Sequence, residues 1–514
     1  MRWARGAIAG LLSAAVAVGV GELIAWLVRP VAAPVVAVGN RVVDLTPESV
    51  RLWAIRNFGS NDKHVLLTGI YVVLVLAAAG IGVLAWRWFI VGVLGIAAAG
   101  GFAIYCAASA HGAHGSDVVP SILGTASALG VLFFLHDQHS RTVPEGPPDS
   151  VDHEDGGLER RSFLTRAAWV GGGAVAGGLA GRGLQHARFD VSAARAGVVL
   201  PTPSGSAAAT SIPPGADLGV SGTPWATPNK DFYRVDTALY VPQVSPSDWK
   251  LRIHGMVDRE VEITYDQLKA RPLIERWVTL NCVSNGVGGD LIGNALWLGT
   301  LLAPLLNEAG IHPDADQLLM SSADAMTIGA PTAPLLDGRD AMLAIGMNGQ
   351  PLPQAHGFPV RAIVPGLYGY ISACKWITDI EATTFANKAY WVTEGWEPHP
   401  ELQLASRIDT PRIGKKVKAG VRIPIAGVAW DQHVGISKVE VQIGKGAWEA
   451  ATLATVQSTD TWRQWVYYWT PPQPGSYLLT VRATDAAGRL QVDEFAAPFP
   501  SGATGLHNIL VQAT

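Results

Sequence analysis

Cysteine is scarce in this 514-residue chain: Cys106, Cys282 and Cys374 are all it has. So small and odd a set excludes a disulfide framework and leaves stability to packed cores. Charge is sparse too, with 16% of residues charged against 49% hydrophobic and a formal net charge of −4. No long basic run marks a nucleic-acid surface, so nucleic acid is not an expected partner. These averages hide a division. The first third is nearly all apolar and the remainder reads as globular. The length itself points to about three domains rather than one.

Residues 6–28, 65–86, 88–110 and 118–135 are apolar over lengths that suit a bilayer crossing, which takes about 20 helical residues. A fifth, weaker stretch at 167–180 is rich in Gly and Ala. It follows Glu159-Arg160-Arg161-Ser162-Phe163-Leu164-Thr165, which resembles a twin-arginine export signal with Glu159 in place of the usual Ser/Thr. Arg2, Arg5 and Arg87 favour the cytoplasmic side. Four crossings return the chain there, where Arg160 and Arg161 belong, and a fifth puts the rest outside. The expectation is a cell-membrane protein, multi-pass, with extracytoplasmic catalytic domains and membrane lipid as a neighbour. Glu22 reads as an interfacial, solvated carboxylate near Arg29, although an acid inside a span is also a candidate functional group. His64, His111 and His114 read as headgroup-level loop histidines rather than heme or quinone ligands.

The expected organisation is a four-span region over 1–140, then a cytoplasmic linker, signal-like motif and fifth span over 141–184. A flexible tether follows at 185–223, rich in Ala, Ser, Pro and Gly. A catalytic domain is expected over 224–412 and a β-sandwich over 413–514. Alternation marks strands at 250–254 and 261–264, and Thr264-Tyr265-Asp266-Gln267 reads as a capping box. Residues 299–310 read as a helix with Gly310 at its C-terminal cap. Val421, Ile423 and Ile425, then Val439, Val441 and Ile443, then Tyr477, Leu479, Val481 and Ala483 alternate as sandwich strands.

The chemistry concentrates at Cys282, which closes the run Trp277-Val278-Thr279-Leu280-Asn281 and opens the glycine-rich Ser284-Asn285-Gly286-Val287-Gly288-Gly289. Val278, Leu280 and Cys282 share one parity, so the sulfur points with the apolar face. Glycines after it allow close backbone approach. A thiolate there suits a thiophilic metal; a small buried hydrophobe is the alternative.

Several runs together resemble the sulfite oxidase family of molybdopterin-dependent oxidoreductases. They are Thr279-Leu280-Asn281-Cys282, Asn294-Ala295-Leu296-Trp297-Leu298-Gly299, Asn348-Gly349-Gln350-Pro351-Leu352-Pro353, His356-Gly357-Phe358-Pro359-Val360-Arg361, Val364-Pro365-Gly366 and Lys375-Trp376-Ile377. The resemblance runs from about 223 to the C-terminus. With the helical membrane bundle read from hydropathy lying outside it, it implies an α+β molybdenum-cofactor domain and an immunoglobulin-like sandwich of dimerisation type. It also implies Cys282 as the metal ligand and Tyr390 and Arg234 as further catalytic residues. Asn229, Tyr233, Arg234, Ser322, His356, Arg361, Ala373 and Lys375 would hold the molybdenum–molybdopterin cofactor. Ser321 is the alternative to Ser322, and Cys374 has no assigned role.

Two departures bear on the substrate. The family's Arg-Asn-His triplet is replaced by Arg234-Val235-Asp236-Thr237, and Asp236 would repel a dianion if it faced the site. No Cys-x-x-Cys-His or His-Pro-Gly-Gly heme run is present, so electrons are expected to pass to a separate cytochrome or quinone partner or through the bundle. The expected activity is oxygen-atom transfer on a small sulfur compound, foremost sulfite to sulfate. Reduction of a sulfoxide such as methionine sulfoxide is the alternative. A membrane-tethered scaffold is the reading from another class.

Overall fold

The computed structural model describes residues 2–58, 61–140, 155–203, 212–456 and 458–514. The chain divides into two compact units: residues 1–190 with 236–241, and residues 191–235 with 242–514.

The first unit is helical: α1 (Arg2–Leu27), α2 (Pro34–Leu45), α3 (Glu48–Phe58), α4 (Asp62–Arg87), α5 (Phe89–Ala108), α6 (Val119–Ser140) and α7 (Asp155–Phe189). Among the described residues, four helical segments are long and apolar enough to cross a membrane: Trp3–Leu27, Asp62–Arg87, Phe89–Ala108 and Gly115–His136. They coincide with the four expected spans. Their outward faces carry Val73, Leu76, Ile90 and Leu94, all exposed. Small residues let the helices approach closely. A Cβ on Gly10 would lie 2.0 Å from the Ala78 carbonyl oxygen, and one on Gly19 2.6 Å from that of Ala174. Helix α7 is long but is not among those four. The side chains of Glu159 and Arg160 lie outside the described residues.

Glu22 corrects the expectation of a solvated carboxylate, since it is only 5% exposed. Gln185 of α7 donates to both its carboxylate (2.9 Å) and its carbonyl (2.7 Å), and Arg182 stands 3.6 Å away. Arg29 turns instead to Asp117, with Nε at 2.8 Å. The reason is proximity: α7 packs along α1, a relation invisible in local sequence. His111 and His114 are both engaged by carboxylates, of Asp44 at 3.7 Å and of Asp117 across a capping box.

The second unit opens with α8 (Ser192–Ala196). Chain order then runs β1 (Lys250–Gly255), β2 (Val261–Thr264), α9 (Tyr265–Lys269), β3 (Leu273–Asn281), β4 (Ile292–Leu301), α10 (Ala303–Ala309), β5 (Gln317–Ser322), β6 (Thr327–Pro331), α11 (Thr332–Leu336), β7 (Met342–Met347), β8 (Gln350–Pro351), β9 (Arg361–Ile363), α12 (Gly369–Ser372), β10 (Ile377–Thr383) and α13 (Tyr390–Thr393). Two sheets result, ordered β2-β1-β10-β5-β6 and β3-β4-β7-β8, with β9 also on β7. The capping box at Thr264 and Gln267 forms as expected. The expected helix over 299–310 is shorter. Gly299–Leu301 pair with Ala344–Met342 as the end of β4, and only 303–309 are helical before Gly310 at φ +71°.

The sandwich comprises β11 (Ala405–Thr410), β12 (Lys416–Val417), β13 (Ile423–Trp430), β14 (Ile436–Ile443), β15 (Trp448–Ala450), β16 (Thr452–Leu453), β17 (Arg463–Trp469), β18 (Gly475–Asp485) and β19 (His507–Ala513). Its sheets are β11-β13-β17-β16 and β12-β19-β18-β14-β15, closed over Ile425, Val439, Val441, Trp465, Leu479 and Val481. Since β11 pairs with β13, the sandwich begins before the expected 413. Val421 lies outside the strands and is 48% exposed.

The expected tether is seated where it is described. Arg195 donates to the carbonyls of Leu352 and Pro351, each at 2.7 Å. Gln464 accepts from Leu218 N–H at 2.7 Å and donates to the Thr223 carbonyl at 2.6 Å. Residues 204–211 lie outside the described residues. Composition signalled flexibility, but its own Arg195 and the sandwich residue Gln464 bond it to the folded domains.

Candidate functional site

Strand β3 delivers Cys282 just past its last residue, where the residue is buried at 8% exposure. Its N–H donates to the Leu291 carbonyl (2.9 Å), and its carbonyl accepts from Asn285 N–H (3.0 Å). The parity argument holds for Val278 and Leu280, which join the cluster containing Trp297 and Phe358. The other face of β3 is buried as well: Thr279 bonds Asn294 Oδ1 at 3.1 Å and accepts from Trp462 N–H at 2.8 Å.

A second loop brings His356 and Arg361 together, both nearly buried. Gly357, at φ +110°, makes this possible; a Cβ there would lie 2.9 Å from the Arg361 Cβ and 3.2 Å from the Lys375 Cα. Arg361 donates to the carbonyls of His356 (3.1 Å) and Ala373 (3.4 Å) and lies 5.1 Å from the Trp297 ring centroid. Its Nε has no partner. Burial draws the guanidinium down to about 10, still charged at neutral pH. Lys375 bridges Arg361 through backbone pairing, and its ammonium donates to the Val235 carbonyl at 3.3 Å. Asn229 anchors the facing stretch: it accepts from Asn348 at 2.7 Å and donates to the Met347 carbonyl at 3.3 Å.

His356 is driven down to about 3, first by burial and then by the nearby charges of Arg361, Lys375 and Arg234. A neutral imidazole therefore sits among three cations and adds no charge to them. Ser322 is buried on β5, its Oγ without a partner, and its residue pairs with Ile377. The Asn281 Oδ1 beside Cys282 is likewise buried and unpartnered.

Three tyrosines lie within electrostatic reach of the Cys282 sulfur: Tyr233, Tyr368 and Tyr370. Burial pushes all three phenols up, Tyr368 to about 12; the sulfur adds to this, and for Tyr370 the charges of Glu397 and Tyr368 add more. A Cβ built on Gly369 would lie 3.6 Å from the Tyr233 hydroxyl and 3.7 Å from the Asn281 carbonyl, which places these groups side by side. Tyr368 accepts from Gln403 N–H at 3.1 Å, and Tyr370 donates to the Glu397 carbonyl. Trp396 packs on Tyr370 at 5.8 Å, with its indole N–H buried and unpartnered.

Sequence reasoning named Cys282, Tyr233, Asn229, His356, Arg361, Ala373 and Lys375, and the fold brings these into one neighbourhood. Arg234 joins through its charge on His356. Tyr390 is buried at the start of α13, its N–H donating to Thr327 Oγ1 at 3.0 Å. Sequence reasoning missed Tyr368, Tyr370 and Trp396. The only signal for the first two was an aromatic pair beside Gly366 and Gly369. Asp236, feared as a repulsive acid, is paired with the Lys63 ammonium. Cys374 is fully buried in the core of the catalytic domain, as packing alone requires.

A family model described as an oxidoreductase molybdopterin binding domain matches residues 238–391, and one described as a bacterial Ig domain matches 405–481. Mitochondrial sulfite oxidase of Drosophila melanogaster is 28% identical over 330 residues, 54% of this chain and 57% of that protein. Sulfite oxidase of Gallus gallus is 29% identical over 319 residues, 52% of this chain and 69% of that protein. The chain thus spans little more than half the length of the fly protein. The solved structure of the sulfane dehydrogenase SoxCD from Paracoccus pantotrophus covers 58% of this chain and 85% of its own at a TM-score of 0.50. At 22% identity that is a likeness of fold.

Proposed function

Because this chain belongs through its central domain to the sulfite oxidase family of molybdopterin-dependent oxidoreductases, we propose that it oxidises sulfite to sulfate from a membrane anchor. The supporting observation is a buried thiol, Cys282, in one neighbourhood with a buried arginine, Arg361, whose Nε is unpartnered. Arg361 Nε and Asn281 Oδ1 are both buried without partners, the pattern expected around a polar guest. The residues present fit the molybdenum cofactor. Cys282 would ligate the metal, while Arg361, Lys375 and Arg234 would hold the pterin phosphate, with His356 and Asn229 ordering the walls.

When bound, the cofactor supplies oxygen-atom transfer. The chain's own part is positioning and electrostatics. His356 stays neutral and adds no charge of its own. Tyr368, its oxygen already accepting from a backbone N–H, retains a proton to donate toward a substrate oxygen. Tyr233 narrows the approach from the opposite loop. The Lys63 pairing of Asp236 removes the charge objection to an oxyanion substrate.

The four apolar helices support membrane anchoring, and the arginine distribution supports an extracytoplasmic catalytic unit. We place the electron acceptor in a separate partner, and homodimerisation in the sandwich. Sulfoxide reduction is the second reading, favoured by the aromatic wall of Tyr233, Tyr370 and Trp396. Purified protein should turn over sulfite with an artificial acceptor and not reduce methionine sulfoxide with a reduced donor. The reverse outcome would replace the first reading with the second.

A further inference from the structure

Between the helices of the first unit lies a pocket of about 340 Å³, walled by α1, α2, α4, α5 and α6 and open to the outside past Val73 and Phe102. Its lining is apolar almost throughout, including Val18, Ile70, Phe102 and Ala128. Two hydroxyls interrupt it. Thr125 spends its proton on the Ser121 carbonyl at 2.7 Å. Ser121 is 2% exposed, lines the cavity, and its Oγ has no hydrogen-bond partner. Such a group is costly unless something accepts from it. The cavity therefore asks for a ligand that is mostly hydrocarbon and carries a hydrogen-bond acceptor.

We propose that this cavity binds a lipophilic quinone, with a ring carbonyl accepting from Ser121. The proposal rests on the oxidoreductase reading of the catalytic domain. A substrate that gains an oxygen atom from water releases two electrons and two protons. A quinone takes up both pairs, its two C=O groups becoming C–OH, so the exchange balances. A phospholipid acyl chain would satisfy the apolar wall but offer Ser121 nothing.

The test is binding, not turnover. The full chain, in nanodiscs of quinone-free phospholipid, is titrated with a decyl-substituted benzoquinone and separately photolabelled with an azido derivative. Saturable binding of one quinone per chain is expected, with label on peptides of α1, α4, α5 and α6. Ser121→Ala should weaken binding about fivefold to tenfold, the worth of one hydrogen bond. Ala128→Leu, which fills the cavity, should abolish it; unchanged far-UV helicity and thermal stability in the nanodiscs would confirm that both variants fold. No saturable binding to the parent, or equal binding by parent and both variants, overturns the proposal. Binding without sulfite turnover would remove the proposed substrate and leave this site standing; turnover with an artificial acceptor but no binding would do the opposite.

Discussion

Arg361 is 5% exposed, yet its Nε has no partner while its terminal nitrogens hold two carbonyls. A buried cation so placed is costly alone and favourable once an anion arrives. Replacing it by lysine keeps the charge and loses the planar fork, so Arg361→Lys should lower cofactor retention about tenfold, measured as molybdenum and pterin per chain. At this scale the sequence was legible wherever a residue sat in a distinctive run. Cys282, His356 and Arg361 did; Tyr368, Tyr370 and Trp396 did not, because aromatic residues in a short glycine-bounded loop read equally as packing. His507 was also overlooked. Its Nδ1 accepts from Ile408 N–H at 3.0 Å, and burial first, then Arg407, draws it down to about 4. The unfolded imidazole titrates near 6.5, so below that pH the unfolded chain binds the extra proton. Stability from this group is full above about pH 6.5 and lost as pH falls toward 4. Thermal melts should show the loss, and His507→Gln should flatten it.

Among the elements, β3 and β4 carry the site and were read unequally. The alternation of Val278 and Leu280 gave β3 away, whereas every residue of β4 but Leu301 is buried and no two-residue period survives. The helix expected over 299–310 began too early for the same reason: a leucine-rich run at a buried strand end imitates helical spacing. Gly357 shows an element shaped for its site. Its φ of +110° and the crowding by Arg361 and Lys375 leave no room for a methyl group. Gly357→Ala should force the two cations apart, costing the fold about 1–3 kcal/mol and lowering molybdenum content more than a surface substitution of similar cost. Differential scanning calorimetry with elemental analysis checks both.

For the whole molecule, the division into an apolar third, a mixed domain and a sandwich was plain in composition and periodicity. What lay beyond reach was pairing across long separations. Glu22 meets Gln185, and Lys63 meets Asp236, because helices and loops distant in sequence pack together. The tether misled because its composition said nothing about Arg195 or Gln464 bonding its neighbourhood.

The sulfur at position 282 bears everything proposed about catalysis. X-ray absorption at the molybdenum edge, on parent protein and Cys282→Ser purified alike, tests it most directly. The account predicts about one pterin-bound molybdenum per parent chain and one fewer sulfur neighbour in any metal the variant retains. A parent without molybdenum, or an identical sulfur shell in both proteins, would contradict it.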